Sequence, residues 1–388
     1  MDLRLSDAQR AIEDSIAKLC ARFGDDYWSA CDTEARFPEE FYQAMAKGGW
    51  LGIAMPEEFG GSGMGVTEAA LMMHAVTKAG GGFSAASAIH INLFGPHPIV
   101  VHGTDEQKRR FLPPLIAGKE KACFGVTEPN AGLDTSSIET FARRTNEGYV
   151  VKGRKIWTTT AQEADRILLL ARTTPKADGK KPTDGMTLFY TAMDRSKIEV
   201  RRIPKMGRAA VDSNTVFIDD LFVPDEDRIG EEGRGFRYLL DGLNPERILI
   251  GAEAVGLGRN ALERAANYAR ERHVFGRAIG QNQGIQHPLA ECWAYLESAF
   301  WMAMRAASLY DSKQPCGAEA NATKFLGARA AFEATTQAVL THGGMGYAKE
   351  YHVERLFRES IFARIAPVTE QLILSHIGEN VLDLPKSY

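Results

Sequence analysis

The stretch Phe124-Gly125-Val126-Thr127-Glu128-Pro129-Asn130-Ala131-Gly132-Leu133-Asp134 marks the point at which the chain changes texture. Upstream of it the pattern is helical. Ser6 and Gln9 have the spacing of a capping box, and Ile12, Ile16, Leu19 and Phe23 follow as an apolar stripe. Helical patterns broken by glycine and proline continue to about residue 120. The run Gly60-Gly61-Ser62-Gly63-Met64-Gly65 reads as a mobile or tightly turning loop, and no strand precedes it to make it a phosphate cradle.

Downstream, short β-rich runs recur with turns between them: Tyr149–Val151, Ile167–Ala171, Met186–Tyr190, Ile198–Ile203 and Thr215–Ile218. Strands at this spacing, without long helices between them, predict an antiparallel sheet or barrel and not a Rossmann unit. No G-x-G-x-x-G follows a strand, so a dinucleotide would have to bind by another geometry. The last third returns to helix. Ile285, Leu289, Cys292, Leu296, Ala299, Ala303, Ala306 and Tyr310 repeat at steps of four and three. Ile248, Ala252, Val255, Leu262, Ala266 and Ala269 do likewise, with Arg259 as the exception. Such seams belong to a bundle of long helices, and their alanines permit close approach. The expected order is an N-terminal α-helical domain over 1–120, a middle β domain over 121–228 and a C-terminal α-helical bundle over 229–388.

The bulk numbers agree with a multidomain globular protein: 388 residues, 44% hydrophobic and 25% charged. A net charge of −4 without a basic patch excludes an ordinary nucleic-acid binder. No apolar run is long enough for a membrane span. The five cysteines form no C-x-x-C and read as free thiols of a reducing compartment. Acidic residues near the N-terminus (Asp2, Asp7, Glu13, Asp14) argue against a leader peptide, and the expected location is the cytoplasm.

Four segments could carry chemistry. Amides around Gly132 and the Thr127 hydroxyl could bind a flat heterocycle and its pyrophosphate, although a plain turn explains the segment as well. In Lys155-Ile156-Trp157-Thr158-Thr159-Thr160 an indole beside hydroxyls could stack on a flavin ring; one buried Trp on a strand is the bland alternative. Arg270 to Arg277, followed by Gln283, could meet a phosphate, or simply be a solvated helix end. The glycines of Thr341-His342-Gly343-Gly344-Met345-Gly346-Tyr347 permit close backbone approach to a ligand or to another helix. His342 has no companions at metal spacing, so no metal site is expected.

In order and spacing these segments resemble the acyl-CoA dehydrogenase family along essentially the whole chain. The family's T-E-P-x-A-G-S-D corresponds to Thr127–Asp134, K-x-W-I-T-N to Lys155–Thr160, and E-R-x-x-F-G to Glu271–Gly276. G-G-x-G-[FY] corresponds to Gly343–Tyr347, and E-R-x-x-R-D to Glu354–Glu359. The resemblance implies helices, then a β-domain, then a C-terminal four-helix bundle. It also implies FAD, an acyl-CoA substrate in fatty-acid metabolism, and reoxidation by an electron-transfer flavoprotein. Phe124, Val126, Thr127, Gly132, Leu133, Trp157, Thr158 and Thr159 would meet the flavin. Arg272, Phe275, Gln283, Gly343 and Gly344 would hold the rest of FAD from a neighbouring subunit, which implies a homo-oligomer, usually a tetramer. Thr369 and Gln371 match the last cofactor contacts, and Leu93 and Phe94 lie in the stretch that lines the acyl tail.

Two positions depart from the family pattern. Leu133 stands where the motif has serine. Pro367 stands where many members carry the catalytic glutamate, and a proline neither takes a proton nor offers a backbone N–H. A subset of the family, including isovaleryl- and long-chain-type enzymes, places its base before an arginine at the start of the first long C-terminal helix. Here that place reads Leu243-Asn244-Pro245-Glu246-Arg247, which makes Glu246 the expected base, with Asn244 and Arg247 near the acyl-CoA. The same residues would serve as a helix start, with Asn244 as N-cap and Pro245 in the first turn. The expected reaction is α,β-dehydrogenation of an acyl-CoA to the 2-enoyl-CoA. An acyl-CoA oxidase, an eliminating flavin enzyme, or a non-catalytic CoA- or flavin-binding homologue are the alternatives that Pro367 leaves open.

Overall fold

The computed structural model describes residues 4–176 and 181–386. Helix α1 (Asp7–Cys20) opens on the expected capping box: Gln9 N–H donates to Ser6 Oγ, and Ser6 N–H donates to Gln9 Oε1. Its stripe faces inward, with Ile12, Ile16, Cys20 and Phe23 buried. Then come α2 (Asp25–Glu34), α3 (Glu39–Lys47), α4 (Val66–Val76), α5 (Gly82–Phe94), α6 (His97–His102) and α7 (Asp105–Ile116). Helices α4 and α5 are apolar on nearly every side and lie buried within the helical layers. The Gly60–Gly65 run turns tightly: a Cβ at Gly61 would sit 2.1 Å from the Met55 carbonyl oxygen.

The sheet comprises β1 (Ala122–Gly125), β2 (Phe141–Arg144), β3 (Gly148–Thr159), β4 (Arg166–Arg172), β5 (Met186–Ala192), β6 (Ile198–Arg202), β7 (Ser213–Pro224) and β8 (Arg228–Ile229). Its order is β6-β7-β3-β2-β4-β5-β8, with β1 beside β4. The pairings are antiparallel except β1 with β4 and a one-residue contact of β2 with β4. Every β-rich run read from the sequence falls in a strand apart from the last residue of one, Ile203, while β1, β2 and β8 are too short to show a period.

Beyond the sheet come α8 (Gly235–Glu271), a hairpin of β9 (His273–Val274) and β10 (Arg277–Ala278), α9 (Gln283–Asp311), α10 (Gly317–His342), α11 (Val353–Ile365) and α12 (Glu370–Asn380). The α9 seam is buried from Cys292 to Ala306 and half-buried at Ile285, Leu289 and Tyr310. Along α8 the buried line passes from Ile248, Ala252 and Val255 to Ala261, Ala265 and Ala269, as a period of 3.6 requires. Arg259 ties α8 to its neighbours: it lies 2.9 Å from His74 Nε2 on α4 and pairs with Glu297 on α9.

The first and last helical thirds share a single core. One apolar cluster runs from Ile12 to Phe94 and takes in Ile248 to Ala363. A buried polar clamp adds to it, in which Glu359 of α11 accepts from Ser84 Oγ and Ser84 N–H of α5 and faces Arg355. A second cluster joins α7 and Leu239 to the sheet, and a third fills the sheet interior. All five cysteines are free and buried, and among the described residues no helix is long and apolar enough to cross a membrane.

Candidate active site

Glu246 does not begin a helix. Helix α8 starts at Gly235, so Asn244 is no N-cap and Pro245 lies inside the helix. Packing sets the true start: Gly235 presses on the backbone of Thr187 and Leu188, and Leu239 enters the sheet-side cluster. These contacts outweigh the capping preference of Asn244, whose side chain instead accepts from Arg247 Nη1 at 3.1 Å. Pro245 withholds only one N–H, from the carbonyl of Asp241, a residue on the exposed side.

The Glu246 side chain is 7% exposed and, among the described residues, has no hydrogen-bond partner. Burial pushes its pKa up to about 7, against the opposing pull of His90, Arg247 and Lys324. His90 comes from α5, where its Nδ1 meets Glu253 Oε1 of α8 at 2.6 Å. Phe94, one turn along α5, lies 4.8 Å from the His90 ring and 5.5 Å from Phe124 of β1. The carboxylate therefore belongs to a seam where α5, α8 and the sheet meet, with Leu93 half-buried nearby on α5.

On the sheet side, a buried ion pair welds two of the segments together. Lys155 is fully buried; its Nζ donates to Glu128 Oε1 at 2.7 Å and to the Val126 carbonyl at 3.1 Å. Glu128 also accepts from the amides of Glu139 and Thr140, and Ile156 N–H donates to the Thr127 carbonyl. Desolvation pulls Lys155 down to about 8, with Glu128 opposing. Trp157, at φ 58°, stands 57% exposed beside the weld, while Thr158 Oγ1 is buried without a partner. Gly132 is open above its Cβ position, Leu133 is exposed, and Phe124, Val126, Thr127 and Thr159 are half-buried. An open aromatic face, an unmet hydroxyl and a small open glycine fit a flat heterocycle such as a flavin.

Arg272, Phe275, Gln283, Gly343 and Gly344 lie elsewhere, together on an exposed face at the far end of α8. Tyr268 of α8 stacks on His342 of α10 at 4.2 Å, which brings the hairpin and the glycine turn side by side. His342 serves that packing, and its Nδ1 bonds the Ala338 carbonyl; no metal-holding group occurs among the described residues. Thr369 caps α12 by accepting from Leu372 N–H, and Gln371 is exposed. The turn holding Pro367 is fastened by Lys324, a fully buried residue of α10 whose Nζ donates to the Val368 carbonyl, and by Arg364 on Glu370 at 2.8 Å.

Sequence reasoning passed over His90, Glu253 and Lys324. Glu253 had a usable signal: it interrupts the apolar line of Ile248, Ala252 and Val255 with a charge that must find a partner. His90 and Lys324 had none, because their partners lie far away in sequence.

Comparison with known proteins agrees with this architecture. The acyl-CoA dehydrogenase N-terminal, middle and C-terminal domain families match residues 6–119, 123–221 and 233–382. Acyl-CoA dehydrogenase FadE12 of Mycobacterium tuberculosis is 34% identical, over 99% of this chain and 98% of its own. Subunit CarC of the caffeyl-CoA reductase-Etf complex of Acetobacterium woodii is 33% identical over 88% of this chain and 89% of its own. The structure of butyryl-CoA dehydrogenase from Megasphaera elsdenii superposes with a TM-score of 0.89 at 29% identity, covering 98% of this chain and all of that one. The chain belongs to the acyl-CoA dehydrogenase family, enzymes that use FAD to dehydrogenate an acyl-CoA thioester.

Proposed function

We propose that Glu246 is the base that takes the α-proton of an acyl-CoA lying between α5 and α8, giving the 2-enoyl-CoA. The carrying observation is a buried carboxylate with no protein hydrogen bond, desolvated to a pKa of about 7. Such a group is basic enough to accept a proton, yet is ionised in a large fraction of molecules at neutral pH. Bound FAD supplies the acceptor for the hydride that leaves the β-carbon. Phe124, Val126, Thr127, Gly132, Leu133, Trp157, Thr158 and Thr159 form the flavin's side of the site, and Leu93 and Phe94 the side of the acyl tail. Asn244 and Arg247, bonded to each other one turn apart, orient the thioester end.

Anaerobic bleaching of the yellow flavin by acyl-CoA thioesters tests this reading. Because the base has to be ionised, the bleaching rate rises as pH rises through about 7 and levels off above it. A rate flat between about pH 5 and 9 would remove Glu246 from the proton transfer.

The exposed face at the end of α8 supports a homo-oligomer, a tetramer by family habit, in which Arg272, Phe275, Gln283, Gly343 and Gly344 complete a neighbour's FAD site, with Thr369 and Gln371 as further cofactor contacts. Phe275 is wholly exposed and Tyr347 is 90% exposed, an unusual expense for a monomer. Phe275→Ser is expected to weaken FAD retention by on the order of tenfold, read by fluorescence of released flavin after dilution. Unchanged retention would detach this face from the cofactor. The pairing of the CarC relative with Etf supports an electron-transfer flavoprotein as electron acceptor. Five buried free thiols support a reducing, cytoplasmic setting.

A further inference from the structure

We infer that His90 and Glu253 form a polar floor to the acyl pocket, and that the enzyme favours short acyl-CoA thioesters whose far end carries an oxygen acceptor. The inference rests on Glu246 being the base and adds the substrate class. Glu253 follows Glu246 by seven residues on α8, so the two carboxylates share a face about two turns, or roughly 10 Å, apart. His90 crosses from α5 to meet Glu253 at 2.6 Å and acts electrostatically on Glu246. Above the pair the walls are apolar, formed by Phe94 against Phe124. A tail running from Glu246 along α8 therefore meets a charged pair after a short apolar passage.

The pair is incomplete on one side. His90 Nε2 is buried and has no partner, in a residue only 6% exposed. Burial disfavours the charged ring, but the Glu253 carboxylate outweighs it and holds His90 above its ordinary pKa. In the protonated ring that the Glu253 carboxylate favours, Nδ1–H is engaged by Glu253 and Nε2–H is left over. A methyl-ended chain would leave that buried donor unpaired, whereas an oxygen acceptor would satisfy it.

A second buried cation lies behind the floor. Arg208 donates from Nη1 to Ser87 Oγ at 2.7 Å, one turn before His90 on α5, and its guanidinium covers the Phe362 ring at 3.7 Å. Among the described residues it makes no ion pair; Glu359, Glu253 and Asp212 reach it only through longer-range attraction. This second positive charge draws a carboxylate end more strongly than a neutral acceptor.

The test compares short acyl-CoA thioesters of equal length ending in methyl, hydroxyl or carboxylate, by anaerobic flavin bleaching. Wild type is expected to half-saturate at least about tenfold lower with the oxygen-ended esters, the carboxylate ahead. The double variant His90→Leu/Glu253→Leu removes both charges together, a change that buried pairs often tolerate. It should lose that preference while still bleaching with the methyl-ended ester. Indifference or methyl preference in wild type overturns the inference, as does a double variant that keeps the preference. Should the double variant fail to retain FAD, the wild-type series alone decides. If no thioester bleaches wild-type flavin, the dehydrogenase reading itself fails, and the floor with it.

Discussion

Glu246→Gln is expected to leave FAD bound and to slow its bleaching by acyl-CoA by about 10²–10⁴-fold, the usual worth of a positioned base. Glutamine keeps the shape of the side chain and cannot accept the proton. No hydrogen bond is lost with the carboxylate, since Glu246 has none among the described residues. The substitution also removes a group that burial disfavours in its charged form, so stability should hold or rise. Stopped-flow bleaching and thermal melting together read both effects. A variant that melts as wild type yet bleaches as fast would show that another group takes the proton.

Lys155→Met is the substitution with the largest expected cost to the fold. It leaves Glu128 buried, still receiving two amide N–H groups but deprived of its ammonium partner. Breaking a buried pair from one side costs roughly 3–5 kcal/mol. The loss should concentrate where the pair holds the Thr127 and Trp157 segments in register, so FAD should leave at a lower temperature than wild type releases it. Adding Glu128→Gln should recover part of the stability, because no uncompensated charge remains. A denaturant series on both variants measures the coupling, and a single variant with an unchanged midpoint would sink the claim.

Much of the architecture was legible because it rests on periodicity. The stripes of α1, α8 and α9 and the strand runs of β3 to β7 all leave a one-dimensional trace. The start of α8 was misread because Asn244-Pro245-Glu246 has every local mark of a helix N-terminus. The packing of Gly235 and Leu239 on the sheet overrode those marks, and packing with a distant strand leaves none. The motif residues around Trp157 were singled out by resemblance, but not the Lys155–Glu128 weld that holds their segment, whose two members are separated by the whole span of β2 and its turns. His90 escaped for the same reason, and Glu253, although an oddity in its apolar line, showed no partner until the fold brought His90 to it.

The common core of the first and last helical thirds has a consequence during synthesis. Helices α4 and α5 bury their apolar sides largely against α8, whose core residues begin near Ile248, about 150 residues after α5 ends at Phe94. At roughly 5–20 residues per second, the ribosome takes some 8–30 seconds to cover that span. Throughout that interval the faces of α4 and α5 that α8 will cover lack their partner, although α1, α2 and α3 are already made. The nascent chain is thus a natural client for holding chaperones, and truncations that end within the sheet should aggregate, although every helix of the first third is already present.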